Sequence, residues 1–283
     1  MITDISSPAN PVFKSLKALT DKKARREQGL FLAEGLRVCT EALATGHVPQ
    51  TLIFAGDTEA HPLTEALIAA TESRRGTVIR ATRDLLHRLT GKDNPGAVAA
   101  AYAIPDTGLA TIDRDSAQLW VVAENLKDPG NLGTMLRTCD AVGAGGVILV
   151  GQCCDPFSLE AVRAAMGGTF TRRVAQAAWG EFLPWLRNGA GELVGAALGG
   201  RVVDYRIHRF AAPTFLFMGN EQSGLPADYA AACDALVKLP MKGTADSLNV
   251  AVATAVLLYA ALDQFDPVAD SVGREREWPL LPR

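Results

Sequence analysis

Short apolar runs alternate with stretches of helical spacing along nearly the whole chain. Runs at 30–32, 51–54, 77–80 and 97–101 read as strands, and the stretches 36–44, 62–72 and 83–89 have helical periodicity. Ahead of them, 8–28 reads as a turn followed by one basic amphipathic helix, with Val12, Phe13, Leu16 and Leu19 on its apolar side. Such alternation predicts a small α/β domain. A polar stretch containing Pro and Gly, 105–118, follows and marks a boundary. The alternation then resumes, with strands expected at 119–123, 147–151, 172–175, 193–197, 215–218 and 235–240. Helices are expected at 132–142, 158–166, 181–187, 227–232 and 247–265. This predicts a second α/β domain with a mainly parallel sheet. The organisation is a first domain over 1–105, a linker over 106–117, a second domain over 118–266, and a loosely attached tail over 267–283.

Three stretches of the second domain interrupt this pattern with polar residues suited to chemistry. In the first, a buried strand runs into Asp128-Pro129-Gly130-Asn131, whose turn chemistry stops it, and helical spacing begins at Leu132. A strand, a polar turn and a helix start make a place where backbone N–H groups can meet an anion, with Thr134, Arg137 and Thr138 on the following turns. Spacing alone fits an ordinary strand-to-helix connection equally well. The segment lacks the lysine of a nucleotide-hydrolysing loop, and Gly143, Gly145 and Gly146 follow a helix instead of opening one. The second stretch, 214–226, is a buried strand leading into Gly219-Asn220-Glu221 and Gly224, where backbone can approach a ligand closely. The third, 239–259, places Ser247 as a plausible N-cap and Asn249 in the first turn of a helix that is apolar nearly all round. That helix must be buried in the core or against a second subunit.

Composition narrows the classes. A chain of 283 residues, 48% hydrophobic and 21% charged, has room for two globular cores. Its net charge of −3 gives no global nucleic-acid signal. Within 11–37, however, Lys14, Lys17, Lys22, Lys23, Arg25, Arg26 and Arg37 outnumber the acids and form a local patch suited to phosphates. Cys39, Cys139, Cys153, Cys154 and Cys233 fit no zinc spacing and read as reduced, mostly buried thiols, which indicates the cytoplasm. The four scattered histidines make no metal case, and neither a signal segment nor a membrane span is apparent.

Taken in order, the three stretches resemble the motifs of the SpoU-type (TrmH-like) RNA ribose 2′-O-methyltransferases. The sequence N-L-x-D-P-G-N-L-G-T-x-x-R-T at 125–138 is similar to the first motif, M-G-N-E-x-x-G-L at 218–225 to the second, and L-P-M-x-G-x-x-x-S-L-N-V at 239–250 to the third. The segments N-P-x-F-K-x-L-x-x-L at the N-terminus and F-L-A-E-G-x-R at 31–37 resemble the RNA substrate-binding domain that precedes many such enzymes. The resemblance implies a SPOUT-superfamily catalytic domain with a deep trefoil knot, working as a homodimer on S-adenosylmethionine without a metal. It implies active-site roles for Asn131, Arg137, Glu221, Ser247 and Asn249. It also implies methyl-donor contacts at Leu198, Gly199, Met218, Gly219, Leu239, Met241 and Leu248.

The expected reaction is methyl transfer to a ribose 2′-hydroxyl of structured RNA, with ribosomal RNA ahead of transfer RNA as substrate. A guanidinium stays protonated, so Arg137 is better suited to holding a phosphate and a developing alkoxide than to acting as a base. A catalytically silent RNA-binding relative, a methyltransferase for small molecules or proteins, and a base-modifying enzyme are the competing readings. Intact Arg137, Glu221 and Asn249, the basic N-terminal segment, and the Ser-Leu-Asn motif respectively argue against them.

Overall fold

The computed structural model describes residues 2–91, 96–199 and 201–266, so the predicted tail at 267–283 lies outside the described residues. The N-terminal part comprises β1 (Ile2–Ile5), α1 (Pro11–Ala18), α2 (Lys22–Gln28), β2 (Leu30–Glu34), α3 (Leu36–Ala44), β3 (Thr51–Ala55), α4 (Pro62–Ser73), β4 (Thr77–Ala81), α5 (Arg83–Thr90) and β5 (Val98–Ala103). Its sheet has the order β1-β4-β3-β5-β2, with β1, β4 and β3 parallel and β5 antiparallel to both β3 and β2. Period-two alternation divides the side chains between two layers. Phe31, Leu52, Phe54 and Val78 pack towards α3 and α4, whereas Leu32, Ile53 and Ile79 pack towards α1 and α5.

The basic segment is two helices, not one. Asp21 accepts from the backbone N–H groups of Lys23 (2.8 Å) and Ala24 (3.3 Å), and this cap starts a new helix after a break at 19–21. The first strand, β1, carries too few apolar residues to announce itself and is held by parallel pairing to β4.

The second part runs β6 (Leu119–Glu124), α6 (Pro129–Val142), β7 (Gly146–Val150), α7 (Leu159–Ala165), α8 (Gly168–Thr171), β8 (Arg173–Ala177), α9 (Trp179–Arg187), β9 (Glu192–Ala196), β10 (Val203–Asp204), β11 (Thr214–Met218), α10 (Ala227–Ala231), β12 (Ala235–Lys238) and α11 (Val250–Phe265). Seven strands form one sheet in the order β10-β12-β9-β11-β6-β7-β8, and every neighbouring pair is parallel. The carboxyl ends of β6, β9, β11 and β12 therefore share one edge, where the order of connections favours a binding crevice.

Between the two parts, 106–117 forms two 3₁₀ turns pinned to the second domain. Arg114 donates to the carbonyls of Trp185 (2.5 Å), Leu186 (3.0 Å) and Ala190 (3.1 Å) and lies 4.2 Å from the Trp185 ring centroid. The domains also share a core. Phe31 and Tyr102 from the first domain meet Phe157 and Phe170 from the second, with ring centroids 4.7–5.7 Å apart. Two charged pairs close the seam. The guanidinium of Arg163 forks onto Glu34 at 2.9 and 2.8 Å, and Arg25 donates to Asp155 at 2.6 Å.

Arg25 is thus not a phosphate ligand as its place in the basic run suggests. It is 3% exposed and also donates to the Leu19 carbonyl at 2.8 Å. Lys14, Lys22, Lys23 and Arg26 are exposed, Lys17 donates to the Leu89 carbonyl (3.3 Å), and Arg37 pairs with Glu41 (2.8 Å). All five cysteines are free thiols, but only Cys39 and Cys139 are buried; Cys153, Cys154 and Cys233 are half-buried.

Candidate active site

The three motif stretches meet at the carboxyl edge of the parallel sheet. The first starts where β6 ends. Asn125 takes a left-handed backbone conformation (φ 45°), which its short polar side chain tolerates. It joins three loops: its Oδ1 accepts from the Gln152 N–H at 2.7 Å, its Nδ2 donates to Glu124, and its carbonyl accepts from Asn220 Nδ2 at 3.1 Å. Helix α6 begins three residues earlier than the apolar spacing suggests. Asp128 is its N-cap, accepting from the Asn131 N–H at 2.6 Å, and Pro129 fills the first helical position, where a missing N–H costs nothing. The turn chemistry at 128–131 is therefore helix-start chemistry.

At the end of β11, Gly219 and Gly224 approach so closely that a Cβ on Gly219 would lie 2.4 Å from the Gly224 carbonyl carbon. Asn220 and Gly224 exchange backbone hydrogen bonds of 3.1 and 2.8 Å across this tight loop, leaving Glu221 at its exposed tip. The third stretch departs from expectation at its helix start. Asn249, not Ser247, caps α11, accepting from the Ala251 and Val252 N–H groups at 2.9 and 3.3 Å. Ser247 stands two residues earlier, exposed in the preceding loop.

Side-chain hydrogen bonds connect the three motifs. Asn131 Nδ2 donates to Glu221 Oε1, and Asn249 Nδ2 donates to Asn131 Oδ1 at 2.9 Å. Arg137 lies nearly two turns along α6 from Asn131, exposed, and its side chain makes no hydrogen bond or ion pair among the described residues.

Beside this chain opens a cavity of about 550 Å³, a size typical of small-molecule sites. Leu198 and Gly199 line it from the loop after β9, Met218 and Gly219 from β11, and Leu239 and Met241 from the loop after β12. Leu248 joins them ahead of α11, and Glu221 and Ser247 also reach the wall. Leu198 and Leu248 are 68% and 41% exposed, apolar side chains left without cover at the cavity mouth. Among the described residues, the only charged side chains in the wall are Glu221 and Asp246. Two carboxylates and no cation disfavour a phosphate-bearing cofactor and suit a cationic, largely apolar one, so the residues present fit S-adenosylmethionine.

Sequence reasoning missed the buried layer beneath. Glu124 is 3% exposed, and burial raises its carboxyl above the usual range, opposed by hydrogen bonds from the Asn220 backbone and the Asn125 side chain. Asn125 and Asn220 stand within the motifs, and their side chains are what hold the loops together. Burial and then the neighbouring Cys153 push the Cys154 thiol up to about 12, which removes it as a thiolate nucleophile at neutral pH. Among the described residues no group of three or more His, Cys, Asp or Glu side chains is placed to hold a metal ion, and no helix is long and apolar enough to cross a membrane.

Fold and cavity together define a two-domain α/β protein with a largely apolar, carboxylate-bearing cavity at the carboxyl edge of a parallel sheet. Residues 118–259 match the SpoU rRNA Methylase family, and 10–100 match the MRM3-like substrate binding domain. The chain belongs to the SpoU rRNA methylase family. It is 32% identical over 265 residues to the 23S rRNA (uridine(2479)-2′-O)-methyltransferase of Streptomyces viridochromogenes, covering 90% of each chain. It is 30% identical to the 23S rRNA (guanosine(2553)-2′-O)-methyltransferase RlmP of Bacillus subtilis, covering 90% of this chain and 97% of that one. Among solved structures, the AdoMet-bound rRNA methyltransferase from Sinorhizobium meliloti superposes with a TM-score of 0.85 at 40% identity, covering 92% and 97% of the two chains.

Proposed function

We propose that this protein methylates a ribose 2′-hydroxyl of 23S ribosomal RNA, using S-adenosylmethionine. The observation that carries the reading is the Glu221–Asn131–Asn249 chain, which ties one residue from each motif together beside a cavity walled by apolar groups and carboxylates. The relatives named as 23S rRNA 2′-O-methyltransferases support the substrate class. Met218, Gly219, Leu239, Met241 and Leu248 would hold the donor, which would supply an electrophilic methyl group to the ribose 2′-oxygen, the hydroxyl proton passing to solvent.

The chain's own residues supply alignment and charge. Asn131, fixed at both ends of its amide, presents the α6 N-terminus to the substrate. Ser247, exposed on the cavity wall, positions the ribose. Arg137, with no internal partner, is free to grip a phosphate beside the target and to stabilise the developing alkoxide. Alignment of this kind is worth up to roughly 7–11 kcal/mol.

The reading includes a homodimer, a cytoplasmic setting, the knot implied by the family, and no metal. For the dimer, the support is that α11 leaves Val252 and Tyr259 about half exposed (49% and 50%) on an otherwise apolar helix. The domain limits 1–105 and 118–266, and phosphate contacts by Lys14, Lys17, Lys22, Lys23, Arg26 and Arg37, belong to the same proposal. Labelled S-adenosylmethionine, purified protein and RNA from a strain lacking the gene provide the test. Label recovered in a 2′-O-methylribose of 23S RNA is the expected outcome; label in a base, or in transfer RNA, overturns it.

A further inference from the structure

We infer that a second RNA-binding surface, separate from the basic α1–α2 segment, crosses the domain seam through Arg173, His47, Arg74 and Arg75 and takes the phosphate backbone of the substrate. This deepens the proposed function and rests on RNA being the substrate.

Two cavities flank the 46–50 loop. One, of about 200 Å³, opens at the seam and has His47 on one wall and Thr169, Phe170 and Arg173 on the other. Its neighbour, of about 560 Å³, is walled by Gly46 and Gln50 from the same loop and by Arg74 and Arg75 from the end of α4. The loop between them is therefore shared.

The arginines of this surface are left unpaired by the protein. Ten arginines elsewhere are tied down by carboxylates or carbonyls, among them Arg80 and Arg83 in the first domain and Arg187 and Arg206 in the second. Arg74, Arg75 and Arg173 are exposed, and their side chains have no hydrogen bond or ion pair among the described residues. The contrast with Arg172 is direct. Its guanidinium folds back onto Asp140 Oδ1 (2.9 Å) and the Ala144 carbonyl (2.9 Å), while Arg173 next to it is left to solvent. Arg75 holds a left-handed backbone conformation (φ 58°) that favours glycine, so its side chain is kept against local preference.

The cavity walls supply what a nucleotide needs besides charge. The hydroxyl of Thr169, a residue 9% exposed, has no protein partner. The exposed His47 ring, backed at 5.4 Å by the buried Phe170 ring, offers one aromatic face for a base. Asp106 is the acid in this wall, and its Oδ1 is already engaged by the Gly108 N–H at 2.9 Å. The surface also leads towards the chemistry. Gly168, at the start of α8, packs so closely on α6 that a Cβ there would lie 3.2 Å from the Arg137 nitrogen. Residues 168–173 thus connect Arg137 to the seam. The helices α1 and α5 pack on the opposite face of the N-terminal sheet from α3 and α4, so the two basic surfaces are distinct.

The test is the triple variant Arg74→Ala/Arg75→Ala/Arg173→Ala in the full-length chain, beside a control, Arg83→Ala/Arg88→Ala, which removes arginines paired with Asp57 and Asp84. Binding to deproteinised 23S rRNA from a strain lacking the gene is measured against salt concentration, with donor binding and melting temperature as folding checks. The triple variant should lower the slope of log K on log salt by roughly 0.9 per lost contact, and raise the KM for RNA about tenfold, with kcat and donor binding unchanged. A slope and KM that match the control overturn the proposal. So does a defect seen only on assembled ribosomal particles, which would make the surface a protein contact. Wild-type protein that transfers no methyl to ribose defeats the proposed reaction instead, and the salt slope still decides the surface.

Discussion

Asn249 donates to Asn131 Oδ1 at 2.9 Å while its own Oδ1 caps helix α11. The cap fixes which end of the Asn249 amide is oxygen, so its nitrogen must face Asn131. Asn131 must then turn its carbonyl to Asn249 and its nitrogen to Glu221, which accepts. One helix cap thereby sets the direction of a chain running through all three motifs.

That relationship predicts a separation of stability from activity at residue 249. Aspartate caps as well as asparagine does but has no donor, so Asn249→Asp should leave the melting temperature nearly unchanged. It places an acceptor against Asn131 Oδ1, and kcat/KM for methyl transfer should fall about a hundredfold, on the scale of one lost preorganised donor. Asn249→Ala should in addition lose about 1 kcal/mol of stability. Equal melting and equal turnover in the aspartate variant would remove the chain from the mechanism.

Glycine 133 lies inside α6, where alanine normally stabilises a helix by about 1 kcal/mol. Here a Cβ would stand 2.5 Å from the Ala161 carbonyl oxygen and 2.5 Å from the Ala164 Cβ, so the α6–α7 contact admits no methyl. Gly133→Ala should cost roughly 1–3 kcal/mol. Gly180 in α9 has nothing within 4 Å, and Gly180→Ala should stabilise by up to about 1 kcal/mol. Urea unfolding of the two variants gives opposite signs if the packing is as described.

Much of this was legible beforehand. Every strand of four residues or more except β1 was anticipated, most of them as apolar runs, because strands buried on both faces are continuous in hydrophobicity. The motif residues Asn131, Glu221 and Asn249 could be named, and the structure brings them together. What could not be read was set by contacts between residues distant in sequence. Arg25 looked like the other cations of its run, and only the Asp155 carboxylate from the other domain makes it a buried seam residue. Ser247 and Asn249 are both good caps, and the choice between them depends on Asn131 being in place to receive the second amide. The cap at Asp128 was hidden because Pro129-Gly130 reads equally as a turn.

The shared core predicts that the two domains unfold together. Phe170 is 8% exposed and packs on Phe31, Tyr102 and His47 of the other domain. Phe170→Ala should cost about 3–5 kcal/mol and convert one cooperative calorimetric transition into two. A wild-type protein that already melts in two steps would mean that the seam does not couple the domains.

Glu124 gives a pH dependence. Burial holds its folded-state pKa above the ordinary value, so folding is favoured by its protonation. The stability it contributes is fully present below the unfolded pKa of about 4.3 and is lost as pH rises through the higher folded pKa. Glu124→Gln, which cannot ionise, lacks this loss. Its stability relative to wild type should therefore rise from acid towards neutral pH, read as the difference in unfolding free energy at each pH. A difference that stays flat would show that Glu124 ionises as it does in the unfolded chain.

Arg137 is the sharpest separation of fold from chemistry, because nothing inside the described protein holds it. An exposed, unpaired side chain contributes little to stability, and Arg137→Lys and Arg137→Ala should each shift unfolding free energy by less than about 0.5 kcal/mol. Lysine keeps the charge but loses the planar fork that grips a phosphate through two parallel hydrogen bonds. If Arg137 grips RNA that way, Arg137→Lys should lower methyl transfer by at least about tenfold, with donor binding unchanged because the residue lies outside the cavity wall. Single-turnover rates at saturating RNA distinguish the roles: a defect that saturating RNA repairs places Arg137 in binding alone, and one that persists places it at the developing alkoxide. Near-wild-type turnover by the lysine variant would exclude both uses of the fork and leave only its charge.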